Sequence, residues 1–192
     1  MIYYLMGKSA SGKDTVYKRL RARFPAWQEI VPYTTRPIRD GETEGVEYHF
    51  ISDAEMDRYL REGRVIELRS YDTVYGRWRY ATVDDGQICH ANAGQDYLMI
   101  GTLEGYEGMR RHFGREAIYP IYIEVPYAIR EERAISRELG QHIPRLREMR
   151  RRFEADEADF SEEKLARAGI VKRYKNIELE SCIDEIIKDT GA

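Results

Sequence analysis

The passage from Ile2 to Phe24 constrains this chain more than any other. Ile2-Tyr3-Tyr4-Leu5-Met6 is a short apolar, β-favouring run that stops at Gly7 and reads as a buried strand. Val16, Leu20 and Phe24 recur at fourfold spacing among lysines and arginines, one face of an amphipathic helix running from Lys13 to Phe24. Between them stands Gly7-Lys8-Ser9-Ala10-Ser11-Gly12-Lys13, followed by Asp14 and Thr15. Glycines at this spacing let successive backbone N–H groups curl around phosphate, and the lysine reaches the outer phosphates. Strand, P-loop and helix together imply ATP binding. The place after the lysine, where a hydroxyl usually meets magnesium, holds Asp14 instead.

The rest of the chain reads as α/β. A polar segment from Pro32 to Gly45 is rich in Pro and Gly and reads as an ordered loop. Short strands are expected at Tyr48–Ile51, Val65–Tyr71 and Thr73–Tyr75, around a helix over Asp53–Glu62 that Ser52 or Asp53 caps. Alternation then predicts a helix from Tyr80 to Ala93, a strand Tyr97–Ile100, a helix Leu103–Phe113 and a strand Ile121–Val125. Ile129–Phe160 is helical and arginine-dense around a break at Gly140–Pro144. A strand near Ile170–Val171 and a helix Ser181–Lys188 close the chain. Strands alternating with helices imply a parallel sheet covered on both faces.

Composition narrows the function. A net charge of -3 gives no reason for attraction to nucleic acid polymers or to a membrane surface. Apolar runs such as Ile2–Met6 and Ile118–Ile123 are too short to span a bilayer, so a soluble, cytoplasmic enzyme is expected. Cys89 and Cys182 fit no metal or redox spacing and read as ordinary thiols.

The second motif is Tyr33-Thr34-Thr35-Arg36-Pro37-Ile38-Arg39-Asp40-Gly41-Glu42-Thr43-Glu44-Gly45-Val46-Glu47-Tyr48-His49-Phe50. Together with the P-loop, and with Val65-Ile66-Glu67 and Tyr75-Gly76, it resembles the guanylate kinase family. The resemblance covers essentially the whole chain, more weakly after residue 128. It implies a three-layer P-loop NTPase fold with a core (1–31, 80–128 and 161–192), an inserted α+β acceptor-binding subdomain (32–79) and a helical lid (129–160). It also implies transfer of the γ-phosphate of ATP, with Mg2+, to a nucleoside monophosphate, GMP before others. On this resemblance Gly7 to Thr15 hold ATP. Arg36, Arg39, Tyr48 and Tyr75 hold the acceptor phosphate, Glu67 reads the guanine, and Gly76, Arg77 and Thr102 complete the acceptor set. The chemistry is sound on its own terms. Guanidinium forks and phenol hydroxyls suit a dianionic phosphate, and a carboxylate suits the N1–H and N2 amino edge of guanine. Arg133 and Arg137 share a helix face four residues apart, and with Arg152 they resemble the family's lid arginines, which with Lys13 and Arg36 neutralise the transferred group.

Three positions depart from the family pattern. Pro32 stands where a serine is usual, Arg77 where Ser or Thr sits beside the base, and Leu98-Met99-Ile100-Gly101-Thr102 where the strand ends in acids. Arg77 is a candidate donor to guanine O6, and Asp14 a candidate magnesium ligand standing in for the missing acids. The Gly12-Lys13-Asp14 ending also resembles ribose 1,5-bisphosphate phosphokinases, one alternative. A non-catalytic guanylate kinase-like interaction module is another, which retention of Lys13 and the lid arginines argues against.

Overall fold

The computed structural model describes residues 1–73, 76–88, 94–140 and 146–191. In chain order the elements are β1 (Ile2–Gly7), α1 (Lys13–Arg23), β2 (Gln28–Glu29), β3 (Tyr33–Thr34), β4 (His49–Phe50), α2 (Asp53–Arg61), β5 (Val65–Thr73) and β6 (Gly76–Val83). There follow β7 (Tyr97–Gly101), α3 (Leu103–Phe113), a 3-10 turn at Arg115–Ala117, β8 (Ile118–Glu124), α4 (Tyr127–Leu139), α5 (Leu146–Asp159), α6 (Glu162–Arg167), β9 (Tyr174–Lys175) and α7 (Leu179–Thr190). A five-stranded sheet has the order β2-β7-β1-β8-β9, with β2–β7 and β8–β9 parallel, and a four-stranded sheet has the order β4-β3-β6-β5. This is the expected α/β architecture with a parallel sheet. Among the described residues no helix is long and apolar enough to cross a membrane.

The chain divides into two compact units, one of residues 1–2, 27–99 and 104–118, the other of residues 3–26, 100–103 and 119 onward. In the first unit β5 and β6 form a long antiparallel hairpin whose inner face, with Leu68 and Ala81 opposite one another, joins Tyr33, Met56 and Val83 in a core. The helix α2 contributes Met56. It opens with a capping box in which Ser52 and Glu55 exchange hydrogen bonds, so two N–H groups that the helix leaves unbonded are satisfied at its start. Arg79 of β6 pins the same helix through Asp53 and Asp57.

In the second unit β1 is buried throughout from Tyr3 to Gly7, as its apolar run requires. The helices α4 and α5 pack through Ala134, Met149 and Phe153, with Ala10 of the glycine loop against the same cluster. The guanidinium of Arg130 lies 5.0 Å from the Phe153 ring and 5.5 Å from the Tyr127 ring. Cys182 is buried, which pushes its thiol up to about 12, while Cys89 lies outside the described residues.

Four expectations fail here. Tyr33–Thr34, inside the segment read as a loop, is β3, paired with both β4 and β6. Thr73 is the last residue of β5 and starts no strand of its own, and residues 74 and 75 of that expected strand lie outside the described residues. The helix predicted from Tyr80 to Ala93 is instead β6 as far as Val83, followed by bends to Ile88, and residues 89–93 lie outside the described set. Trp78, Tyr80 and Thr82 alternate with Arg77, Arg79, Ala81 and Val83, a period of two rich in aromatic and β-branched residues, and pairing with β5 decides for strand. The strand predicted at Ile170–Val171 is also absent. Gly169, at φ 73°, ends α6 with its N–H on Ala166 O, and Ile170 N–H returns to Leu165 O, so Ile170 is the apolar residue that closes a helix end. The strand is displaced to Tyr174–Lys175, in register with Ile123 and Glu124. The expected break in the arginine-dense helical region begins at Gly140, and residues 141–145 of it lie outside the described residues.

Candidate active site

In the second unit β1 delivers the chain to the loop at Gly7, where a Cβ would stand 2.7 Å from Ile123 O. Gly12, at φ 81°, has less room still, since a Cβ there would overlap Asn176 Nδ2. Ala10, at φ 59°, is the one non-glycine residue with positive φ among the described residues. Backbone strain of this kind persists only where the surroundings enforce it, and the enforcing contacts are visible. Asn176 Nδ2 donates to Ser11 O at 2.8 Å, Arg130 Nη1 donates to Ser9 O at 3.3 Å, and Ser11 N–H closes a turn on Lys8 O at 3.2 Å. The helix α1 opens directly at Lys13 with no side-chain cap, so its first N–H groups and the positive end of its dipole face the loop.

The helix α5 ties itself to this loop through acids. Asp156 accepts from Ser9 N–H at 2.6 Å, and Glu157 accepts from Lys8 Nζ and from Arg130 Nη2, each at 2.6 Å. Burial pushes the Glu157 carboxyl up, but the hydrogen bonds from Lys8 and Arg130 outweigh it and hold the group below its ordinary value. Arg133 stands beside the loop, with Nη1 3.9 Å from where a Gly12 Cβ would lie and Nη2 donating to Asn176 O at 3.1 Å. Arg137, one turn on, is exposed, and Arg152 lies 3.5 Å from Glu138. The Asp14 carboxylate is 76% exposed and 3.7 Å from Lys13 Nζ; Thr15 is exposed beside it. The strand end that lacks acids is occupied differently: the Tyr4 hydroxyl fills the space a side chain at Gly101 would need and donates to Thr102 O at 3.1 Å.

In the first unit the outer face of the β5–β6 hairpin carries the acceptor candidates. Arg36 is only 3% exposed and forms a two-pronged pair with Glu42, Nη1 to Oε2 at 2.9 Å and Nη2 to Oε1 at 2.8 Å. Its guanidinium lies 5.5 Å from the ring centres of both Tyr48 and Phe50, beside the Tyr80 hydroxyl. Burial lowers the Arg36 pKa, yet the hydrogen bond to Glu42 and the neighbouring Tyr80 raise it by more. The hydrogen bond from Arg36 holds Glu42 below its ordinary value against the opposing effect of burial, aided by the Arg39 N–H at 2.8 Å. Burial raises Tyr48, which meets Tyr80 edge-on at 5.7 Å.

Glu67 is buried further along the same face. Its carboxylate accepts from Thr82 Oγ1 at 2.8 Å and from Arg69 Nε at 3.0 Å and Nη2 at 3.3 Å. The helix α3 presses on it at Gly108, where a Cβ would come 2.5 Å from Glu67 Cβ.

The structure therefore brings Arg36, Tyr48 and Glu67 to one face of the first unit, and Lys13, Asp14 and Arg133 to the loop of the second. It sets Arg77 apart, since Arg77 pairs in register with Asp72 on the opposite face of the hairpin from Glu67. Arg39 and Gly76 are exposed, Thr102 lies in the second unit before α3, and Tyr75 lies outside the described residues. Sequence reasoning missed Arg69, Thr82, Asn176, Arg130 and Glu157. Arg69 carried a signal, because residues two apart on a strand share a face. Asn176 carried none, being 165 residues from its partner.

A buried strand, a glycine loop held in left-handed turns and a helix opening at Lys13 define a P-loop protein of the α/β class. The family model described as guanylate kinase matches residues 2–87. A guanylate kinase of Thermobifida fusca is 41% identical over 106 residues, 55% of this chain and 52% of that protein. One of Chlorobium luteolum is 30% identical over 152 residues, 79% of this chain and 75% of that protein. The matched stretch spans about half the length of most such relatives, for example 51% of the Neisseria gonorrhoeae guanylate kinase. The fold is similar to the crystal structure of guanylate kinase from Anaplasma phagocytophilum, with a TM-score of 0.69 at 21% identity over 100% of this chain and 84% of that one. The chain belongs to the guanylate kinase family.

Proposed function

We propose that the chain transfers the γ-phosphoryl group of ATP to GMP, yielding ADP and GDP. The observation that carries this reading is the outer hairpin face, where the buried Arg36 guanidinium with Tyr48 and Tyr80 offers cation and hydroxyls for a phosphate, and Glu67 offers a carboxylate for the base. Residues 32–79 act as the acceptor-binding part and 129–160 as the lid. The loop N–H groups and Lys13 cradle the β- and γ-phosphates. Arg36 and Arg39, with Tyr48 and Tyr75, orient the acceptor phosphate, whose oxygen bonds to the γ-phosphorus as the bond to ADP breaks. Arg133, Arg137 and Arg152 neutralise charge on the transferred group, because such transfers are catalysed mainly by positioning and electrostatics.

Among the described residues no cluster of three or more His, Cys, Asp or Glu could hold a metal. Asp14, a single exposed hard oxygen donor beside the loop, fits an ion held chiefly by substrate phosphates and water, which is how Mg2+ usually binds. Bound there, Mg2+ would supply charge neutralisation on the phosphates. The test is ADP release measured with GMP, dGMP, AMP, UMP and ribose 1,5-bisphosphate. GMP is expected to give the highest kcat/KM, and a higher value for ribose 1,5-bisphosphate would sink the reading.

A further inference from the structure

The Glu67 carboxylate is already largely spent. A carboxylate offers about four lone-pair sites, and Thr82 Oγ1, Arg69 Nη2 and Arg69 Nε take three of them. The pair is sealed, with Glu67 and Arg69 side chains only 4% and 10% exposed, and Gly108 backs Glu67 closely. Releasing Arg69 to free more of the carboxylate would leave buried charge uncompensated, a larger loss than one added hydrogen bond returns. A guanine edge donates two N–H bonds, from N1 and from the 2-amino group. Only one of them finds a lone pair here.

We propose that Arg69 sets acceptor specificity, limiting Glu67 to a single N–H from the base, so that the acceptor class is 6-oxopurine nucleotides and IMP serves nearly as well as GMP. Both bases carry N1–H beside a carbonyl, and only guanine adds the 2-amino group. Adenine has no hydrogen at N1 and is refused. The inference rests on the reading of Glu67 as the group that meets the acceptor base.

The experiment is steady-state kcat/KM for GMP, IMP and AMP in the unaltered protein, in Arg69→Met and in Arg69→Lys. The GMP-to-IMP ratio is expected to stay within about tenfold in the unaltered protein, less than a full hydrogen bond to a charged acceptor would give. It should rise about tenfold or more in Arg69→Met, where both lone pairs return to the ligand, and rise also in Arg69→Lys, which donates from one point. Should Arg69→Met not fold, the unaltered protein and Arg69→Lys decide. A larger GMP preference in the unaltered protein, or a ratio unmoved by the Arg69 changes, overturns the proposal and leaves the GMP assignment standing. If neither GMP nor IMP is phosphorylated, the reading of Glu67 falls and the proposal falls with it.

Discussion

In the loop of residues 7–13 the shape resides in the backbone: left-handed Ala10 and Gly12, and carbonyls of Ser9 and Ser11 fastened from outside by Arg130 and Asn176. On the hairpin face the shape resides in side chains, where Arg36 is gripped by Glu42 and Glu67 by Arg69 and Thr82. On the proposed reading both regions present charge to a phosphorylated ligand, by different means. The loop holds its N–H groups in place before any ligand comes. The hairpin face holds its charged groups already paired, so the proposed acceptor would have to exchange partners with Glu42 to reach Arg36.

The strongest way to break this contrast is Lys13→Ala, which removes one fixed cation from the transferring phosphates. Single-turnover kinetics should show phosphoryl transfer slowed by about 10²–10³-fold, with the thermal midpoint little changed. Near-normal transfer would mean the loop is not the ATP site. Next comes Gly12→Ala against Gly41→Ala. Both glycines have positive φ, 81° and 84°, but a Cβ at Gly12 meets Asn176 whereas nothing lies within 4 Å at Gly41. Strain alone costs on the order of 1–3 kcal/mol, so denaturant unfolding should place Gly41→Ala in that range and Gly12→Ala beyond it, with weakened ATP binding. Equal costs would show that Asn176 does not enforce the loop.

On the paired side, the Glu42 carboxyl sits low in the folded state because Arg36 hydrogen-bonds it. A depressed carboxylate stabilises fully above its ordinary value of 4.5 and loses that contribution as pH falls through the folded value. Stability of the unaltered protein should therefore fall more steeply below pH 4.5 than that of Glu42→Gln, by about 1 kcal/mol overall. Parallel acid-unfolding curves would contradict the pairing. The smallest effect is expected from Asp14→Ser. A magnesium ligand there predicts a several-fold rise in the Mg2+ concentration for half-maximal activity, on the order of one lost oxygen contact. An identical magnesium curve would reduce Asp14 to a residue that merely complements the helix dipole.

What was legible in the sequence was local. Strand, loop and α1 lie within two dozen residues, and the box that starts α2 spans Ser52 to Glu55. The buried Arg36 and Glu67 sat in recognisable motifs. Their clamps were harder to see: Glu42 stood inside a quoted motif without its pairing being evident, and Thr82 meets Glu67 only through the hairpin register that runs unbroken from Glu67–Thr82 to Thr73–Gly76. The same local habit misread Tyr80-Ala81-Thr82-Val83 as helical, because the apolar content was plain and the partner strand that selects β structure was not. At Ile170 a helix-closing contact took an apolar residue that had promised a strand.

The clasp between Asn176 and Ser11 also fixes an order of events during synthesis. The side chain that holds the loop carbonyl lies 165 residues downstream of it. At roughly 5–20 residues per second, the ribosome needs about ten to thirty seconds to travel between them. Throughout that interval the growing chain carries the written loop without its fastener, since a contact of such long span closes only after both ends exist. On the proposed reading the loop becomes competent for nucleotide only once Asn176 has been made, and ATP can report that step more faithfully than it can guide the start of folding.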